Sequence, residues 1–184
     1  MASPSVPNFS LPTLLPCRTV TFQLTGRQTS LGYCAAMSSE SIEVVRNALR
    51  LWGLNPDGGL APIDLDRLRD VFQGDPPAAA ELFDPEVEIH PPEGAVGGGV
   101  HRGYQGVVNN WRDLLATFDE FLIDPMEYRQ AGEQVVVIQR NIGRMRELEV
   151  DETHSVLFTL RQRRIVRIQV FARRDGALEA ASGD

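Results

Sequence analysis

The chain has 184 residues, a net charge of -7 at pH 7 and a pI near 5.0, a length that suits one domain or one domain with an appendage. This acidic balance argues against a nucleic-acid or anionic-membrane surface, because either would need a basic face. No apolar run approaches the roughly 20 residues that span a bilayer, and both cysteines, Cys17 and Cys34, precede the main body, so a reduced, cytoplasmic setting is expected.

The N-terminal segment differs in composition from the rest. It contains arginine but no acidic residue, is rich in Ser, Thr and Pro, and lacks sustained helical or strand periodicity. Prolines interrupt Leu11–Leu15, which makes a secretory signal a poor match, while acid depletion leaves a transit peptide as an alternative. Because Met37 resembles a natural start, we predict that residues 1–37 are a disordered extension or an over-long gene start. Residues 38–180 then form one domain, and residues 181–184 form a tail.

Helical spacing of apolar residues comes next along the chain. Ile42, Val45, Leu49 and Trp52 predict a helix that begins at a serine cap, Ser38 or Ser39, and ends at Gly53. Three further helices are predicted: one from Asp64 or Asp66 through Phe72, one capped by Asp75 and ending at Phe83, and one over Tyr104–Phe118.

Strand-like runs dominate the second half. They are predicted at Glu86–His90, Val100–Arg102, Phe121–Arg129, Gln134–Arg146, Val150–Leu160 and Ile165–Ala172, the last two joined by a tight link over residues 161–164. Short helices ahead of a long strand meander indicate an α+β fold. We expect a cone-like, strongly bent, mostly antiparallel sheet wrapped around the N-terminal helices, an architecture that makes a pocket.

The final strands are apolar on more than one face. In Ile165–Ala172 the alternate residues that share one face are all apolar, while those on the other face are mixed. In Val135–Ile142 both faces carry apolar residues. A sheet with one wet face would alternate cleanly, so this sheet is expected to be covered on both sides. Since no further helix is predicted to supply the second cover, a homodimer through the sheet face is predicted.

Several of these segments resemble the SnoaL-like branch of the nuclear transport factor 2-like superfamily. The resemblance covers about residues 38–180 and is carried by Met37–Arg46, Leu82–Gly94, Val100–Gly106, Trp111–Asp113, Ala131–Val137, Leu157–Arg161 and Ile165–Arg167. It implies a bent sheet closed by helices, usually dimeric, with an apolar pocket in each subunit. Members include polyketide cyclases, ketosteroid isomerases, epoxide hydrolases and proteins without a known reaction, so the fold alone does not choose an activity.

Two histidines are the candidate catalytic groups. His154 lies on a strand, two residues before the position where many relatives carry a histidine, and two residues preserve the strand face. Histidine can act as a general acid or base near neutral pH; the alternative is a rim histidine paired with Glu152. His90, at the end of a strand, is the second candidate, although it also suits a local backbone cap. His101 is expected to be structural or solvated.

The resemblance also implies a carboxylate on the last strand, where the cyclases keep one. This chain has Gln169 there, which cannot accept a proton at useful pH but can hold a carbonyl by hydrogen bonds. The epoxide-hydrolase pattern fits poorly, because no aspartate lies at short strand spacing from Arg140 or Arg144. No metal-ligand motif accompanies the histidines, and no cofactor motif is present, so neither a metal nor a cofactor is expected.

Aromatic and amphipathic residues supply the predicted pocket lining. The candidate ligand-binding residues are Trp52, Tyr104, Trp111, Tyr128, Asn141, Phe158, Gln169 and Phe171; an ordinary core position is the alternative for each. Together they indicate a small apolar ligand, and an isomerase-, cyclase- or hydrolase-like enzyme acting without cofactor on a hydrophobic carbonyl or polycyclic compound. The alternative is a non-catalytic, dimeric binding or scaffold module.

Overall fold

The structure is a computed structural model that describes residues 35–74, 76–95 and 98–183. Its contacts divide the chain into two units, Met1–Ala36 and Met37–Asp184, and the description below concerns the second. The predictions for the N-terminal extension and its cysteines, and for Asp75 as a helix cap, lie outside the described residues.

The described part of the chain contains five α-helices. They are α1 (Ala35–Leu51), α2 (Leu65–Arg69), α3 (Pro76–Leu82), α4 (Gly103–Leu115) and α5 (Gly176–Ser182), with a π-helical turn at Asp70–Gly74 that continues α2. None of these helices is long and apolar enough to cross a membrane.

Helix α1 presents its predicted apolar stripe to the core. Val45 and Leu49 are buried on successive turns, and Trp52 follows directly after the last turn. Gly53 (φ 86°) ends the helix in the left-handed region, and the N–H of Leu54 donates to the carbonyl of Leu49 at 3.0 Å. The predicted serine cap is wrong: the helix begins at Ala35, because a cap preference of about 1 kcal/mol does not stop a helix that can continue.

Helix α2 begins where predicted. The Asp64 carboxylate accepts a hydrogen bond from the N–H of Arg67 at 2.9 Å, which satisfies a donor left open by the first turn. Leu68 and, in the π-helical turn, Phe72 are buried against the core.

The seven described strands form one sheet. They are β1 (Ala61–Pro62), β2 (Phe83–His90), β3 (His101–Arg102), β4 (Glu120–Ala131), β5 (Gln134–Met145), β6 (Leu148–Arg161) and β7 (Arg164–Phe171). Their order is β1-β4-β5-β6-β7-β2-β3, and every neighbouring pair is antiparallel except β2 and β7. The strand β1 was not predicted, because two residues carry no period.

The sheet curls around the helices without closing into a barrel. Register shifts in β2, β4 and the β6–β7 pair interrupt the ladder, and such bulges bend strands and increase their twist. The main core lies on the concave face, where strand residues pack against α1, α2 and α4. The predicted α+β architecture, a bent, mostly antiparallel sheet wrapped around N-terminal helices, is confirmed.

Trp52 joins the helices to this concave face. Its ring centroid lies 6.1 Å from that of Phe83 in β2, 5.3 Å from that of Trp111 in α4 and 6.2 Å from that of Phe158 in β6. Offset and edge-on aromatic pairs at such distances add about 0.5–1.5 kcal/mol each beyond area burial. One side chain therefore connects α1 to α4 and to two separated strands.

Helix α5 covers part of the convex face. Ala177 is buried with Val136, Ile138 and Leu157, and Phe171 packs against the same cluster. The expectation that no helix follows the last strand is therefore wrong, and α5 extends into the segment that was expected to be a tail. The homodimer was inferred from a missing cover, which α5 partly supplies; dimerisation itself stays a prediction.

A buried hydroxyl holds α5 on the sheet. The Oγ of Ser155 donates to the carbonyl of Arg173 at 2.6 Å and accepts from the N–H of Ala177 at 3.0 Å. At Gly176 an added Cβ would lie 2.8 Å from the Cβ of Phe171, so only glycine allows this approach. Ser155 thus satisfies one backbone group on each side of the turn into α5.

Replacing Ser155 with alanine should therefore loosen α5. Two backbone groups would lose their partner, and a buried unsatisfied group costs about 1–3 kcal/mol. Urea unfolding of S155A should show a loss of that size, with faster amide exchange in α5. S182A is the matched control, because its hydroxyl bonds the carbonyl of Leu178 at an exposed position. Equal stability of S155A and S182A would contradict the assigned role.

Candidate functional site

A cavity of about 420 Å³ lies between the concave face of the sheet, the segment that follows α1 and helix α4. That volume falls within the range of small-molecule sites, which are mostly apolar with a few placed polar groups. Its rings come from Trp52, Trp111, Phe118, Phe121 and Phe158. Strands β5, β6 and β7 and the loop that follows β2 supply much of the remaining wall.

Gly143 leaves room for the ring of Phe118 in the cavity wall. A Cβ at residue 143 would lie 2.5 Å from Cε1 of Phe118, closer than real carbon contacts. The ring occupies the volume that a side chain on β5 would otherwise fill, and it lies 5.1 Å from the ring of Phe121. Glycine at this strand position therefore sets the local shape of the cavity.

Polar side chains form a strip on two neighbouring strands of the cavity wall. In the β5–β6 register Gln139 faces His154 and Asn141 faces Glu152, and all four residues line the cavity. The Nε2 of Gln139 donates to Oδ1 of Asn141 at 2.9 Å, and both side chains are buried. The strip, residues 139, 141, 152 and 154, thus places amides beside an imidazole–carboxylate pair.

His154 and Glu152 form the titratable pair of this strip. The Nε2 of His154 lies 3.1 Å from Oε2 of Glu152, and their side chains are 17% and 57% exposed. The buried Nδ1 of His154 has no hydrogen-bond partner among the described residues. When the ring is neutral and Nε2–H donates to Glu152, Nδ1 carries the lone pair and is a base; when the ring is protonated, Nδ1–H is an acid.

Two further buried polar atoms belong to the tryptophans of the cavity. Trp52 and Trp111 are only 3% and 8% exposed, and their indole N–H groups have no partner among the described residues. An indole N–H is a donor only, and leaving it unpaired costs about 1–3 kcal/mol. Both side chains line the cavity, so a ligand with acceptor atoms suits this wall.

The structure brings together five of the predicted site residues. Trp52, Trp111, Asn141, Phe158 and the catalytic candidate His154 all line the cavity. They come from the turn that follows α1 and from α4, β5 and β6, which the chain folds around one cavity.

Tyr104 and Tyr128 were predicted as pocket walls, and the structure places both outside the cavity lining. The Tyr104 hydroxyl donates to the carbonyl of Phe83 at 3.2 Å. The Tyr128 hydroxyl donates to the carbonyl of Pro56 at 2.8 Å, and the Arg46 guanidinium lies 4.7 Å from its ring centroid. Burial raises the pKa of Tyr128 to about 12. Both hydroxyls therefore hold backbone segments together.

Gln169 and Phe171 lie on the other face of β7 from the cavity. Ile168, Val170 and Ala172 line the cavity instead, and Phe171 packs beneath α5. The prediction that Gln169 faces the cavity is wrong. Side chains alternate along a strand, and here the face with only apolar residues lines the mostly apolar cavity, so the face that contains Gln169 points away from it.

His90 also lies away from the cavity, whereas His101 lines it. Ile89 in β2 faces the cavity, so the adjacent His90 points to the opposite face, where its Nε2 lies 3.0 Å from Oε2 of Glu88. His101 pairs with Ile89 in the β2–β3 register and shares its side of the sheet. The expectation that His101 is structural or solvated missed this position, which only the pairing of β3 with β2 reveals.

Gln139 and Glu152 are site residues that the sequence did not single out as lining. Gln139 shares the strand parity of Asn141, and Glu152 shares that of His154, so parity was the available signal. Asp151, on the alternate parity, instead pairs with Arg140 through two contacts of 2.6 and 2.7 Å on the convex face. The epoxide-hydrolase arrangement is therefore not assembled among the lining residues.

Within the described ranges, no group of three or more His, Cys, Asp or Glu side chains is arranged to hold a metal ion. The polar atoms of the strip instead contact each other in pairs.

The contacts around His90 predict a pH effect on stability. The hydrogen bond with His90, followed by that from Arg102, lowers the pKa of the Glu88 carboxyl below its usual 4.5. A lowered carboxyl pKa stabilises the fold above the unfolded value, and that stability disappears as pH falls through the folded value. We expect E88Q to be less stable than the parent at pH 7 and to converge with it in acid.

Thermal unfolding between about pH 7 and pH 3 tests this linkage. E86Q is the matched control on the same strand, since Glu86 makes no ion pair among the described residues. A parallel pH profile for E88Q and the parent would show that the Glu88 contacts do not stabilise the fold.

The fold is similar to that of several solved structures. A Jannaschia sp. CCS1 protein described as a candidate SnoaL-like polyketide cyclase is 16% identical; the match covers 83% of this chain and 98% of that one, with a TM-score of 0.54. TerC co-crystallised with polyporic acid is 17% identical; the match covers 78% of this chain and 98% of that one, with a TM-score of 0.53. A nuclear transport factor 2-like protein of Burkholderia xenovorans LB400 is 16% identical; the match covers 78% of this chain and 97% of that one, with a TM-score of 0.54. At these identities the likeness establishes the fold alone.

None of the curated proteins matches the chain. The family model described as the SnoaL-like domain matches residues 65–179, more than half of the chain, and confirms the resemblance seen in the sequence. This stretch runs from α2 to α5 and includes all four residues of the polar strip. The chain therefore belongs to the SnoaL-like domain family.

Proposed function

We propose that this protein binds a small, mostly apolar carbonyl compound in the cavity and transfers a proton on it without a cofactor. The observation that carries the proposal is the polar strip within an otherwise apolar, aromatic cavity of about 420 Å³. Apolar walls bind the body of such a ligand, while a few convergent polar groups orient its oxygen. The cyclase description of the Jannaschia protein and the co-crystallisation of TerC with polyporic acid support a ligand in this fold.

His154 is the group suited to move the proton. With Nε2–H donating to Glu152, the lone pair on Nδ1 can take a proton from the carbon next to a carbonyl, and the C–H electron pair becomes an enolate. The Glu152 carboxylate, 3.1 Å from Nε2, then stabilises the imidazolium. Return of the proton to the same or another carbon completes an exchange or an isomerisation and leaves the histidine neutral.

The amides and indoles are suited to hold the oxygen. Gln139 and Asn141 are buried beside His154, and amide N–H groups stabilise developing negative charge on oxygen without a change of their own protonation state. No carboxylate comes from β7, where Ile168, Val170 and Ala172 face the cavity. The His154–Glu152 pair on β6 therefore takes the role that a carboxylate on β7 has in the cyclase relatives.

Bicyclic ketones such as decalone should bind and stabilise the protein. A ligand at about 100 times its dissociation constant adds roughly 2.7 kcal/mol, or about 5–10 °C in Tm for a chain of this size. Both tryptophans of the chain line the cavity, so their emission should change in the same titration. An unchanged Tm and emission across a series of such ketones would count against the cavity as a binding site.

Proton transfer is measured by deuterium entering the carbon next to the carbonyl of decalone in D2O, followed by NMR. We expect H154Q to slow this exchange about a hundredfold or more, the usual loss for a general base, with binding retained. H90Q is the matched control, because His90 lies on the opposite sheet face. Exchange that survives in H154Q rules out His154 as the base, and binding without exchange in the parent protein identifies a non-catalytic binding module.

A further inference from the structure

The charged groups around the cavity are of one sign. Glu93 in the loop after β2, Asp113 on α4 and Glu152 on β6 all line it, so carboxylates reach the cavity from three separate elements. No arginine is among the described lining residues, although the chain contains 18 arginines and no lysine. A ligand in the cavity therefore meets carboxylates and imidazoles but no guanidinium.

Only part of this negative charge is compensated nearby. The Arg112 guanidinium contacts Oδ1 of Asp113 at 3.0 and 3.1 Å from the exposed side of α4. Glu152 contacts His154, which is charged only when protonated. Glu93 is exposed and makes no ion pair among the described residues. The lining thus contains more acidic side chains than basic ones among the described residues.

The lining carboxylates favour a positively charged ligand, and the aromatic interior favours one by a second mechanism. Ring faces attract cations by about 0.5–1 kcal/mol at exposed sites and more where water is excluded. Trp52 and Trp111 supply two large buried rings at a centroid distance of 5.3 Å. A carboxylate ligand would lose its hydration here, face like charges and find no guanidinium to pair with.

We infer that the ligand of this cavity is an apolar amine, with its ammonium group facing the lining carboxylates and its apolar body among the rings. The inference rests on the proposed binding function and specifies its ligand class. A primary alkylammonium keeps its proton near neutral pH, as lysine does. The carbonyl handled by His154 then belongs to the apolar body of the same molecule.

Three isosteric probes separate ligand charge from ligand shape: adamantylmethylamine, adamantylmethanol and adamantanecarboxylate. We expect calorimetric titration of the full chain at low salt to show the amine binding about three- to tenfold more tightly than the alcohol, with the carboxylate weakest. The amine-to-alcohol ratio should fall toward one as added salt screens the carboxylates.

Variants assign the preference to the lining carboxylates. E152Q and E93Q, alone and combined, should lower the amine-to-alcohol affinity ratio by about twofold to fivefold. E149Q is the matched control, because Glu149 lies on the same strand but pairs with Arg144 outside the cavity lining. E93Q serves as the independent variant, since Glu93 makes no contact with His154 in the structure.

The outcomes distinguish this inference from the function on which it rests. Binding of the alcohol with an equal or weaker amine overturns the amine inference and leaves the binding cavity standing. A preference for the amine that E149Q reduces as much as E152Q also overturns it, because general surface charge would then explain the preference. Failure of all three probes to bind overturns the inference together with the proposed function.

Discussion

The fold depends on the contact of one indole with three elements. Trp52, at the end of α1, packs against Phe83 of β2, Trp111 of α4 and Phe158 of β6, which are far apart in the chain. The Gly53 turn directly behind it fixes where α1 stops and therefore where this ring lies. Since the helices meet the concave face at this ring, the space left beside it becomes the cavity. The same aromatic cluster thus packs in the core and lines the cavity.

Strand register determines which polar side chains line the cavity. Because side chains alternate along a strand, the β5–β6 pairing places Gln139 opposite His154 and Asn141 opposite Glu152 on the concave side. The alternate residues of the same strands, Arg140 and Asp151, form an ion pair on the convex side. A register shift of one residue in either strand would move that strand's cavity-facing side chains to the convex side. The alternation of side chains therefore separates the polar strip of the cavity from a salt bridge on the convex side of the same two strands.

The sequence predicted the long elements well and the site only in part. Four long strands and the stripes of α1 and α4 have strong periods, so burial alone locates them. Helix α5 was missed because Gly176–Ser182 is short and built from small residues, with too little apolar contrast to show a period. Gln169 was assigned to the wrong face because one strand is compatible with either orientation until its neighbours are known. Tyr104 and Tyr128 were assigned to the cavity because their aromatic character is visible in sequence while their hydroxyl partners, distant carbonyls, are not.

The open sheet has a consequence for how the protein behaves at high concentration. Its two outer strands, Ala61–Pro62 and His101–Arg102, are each only two residues long, and Pro62 has no N–H to offer. A long, flat border with unpaired backbone groups would recruit strands from other molecules and nucleate fibrils. β1 pairs only with Leu122 and Ile123 of the twelve-residue β4, so most of that outer border is left to β4 itself. Pro125, which has no N–H, and the register shift between Pro125 and Glu127 interrupt this border, so an unclosed sheet avoids a continuous template for polymerisation.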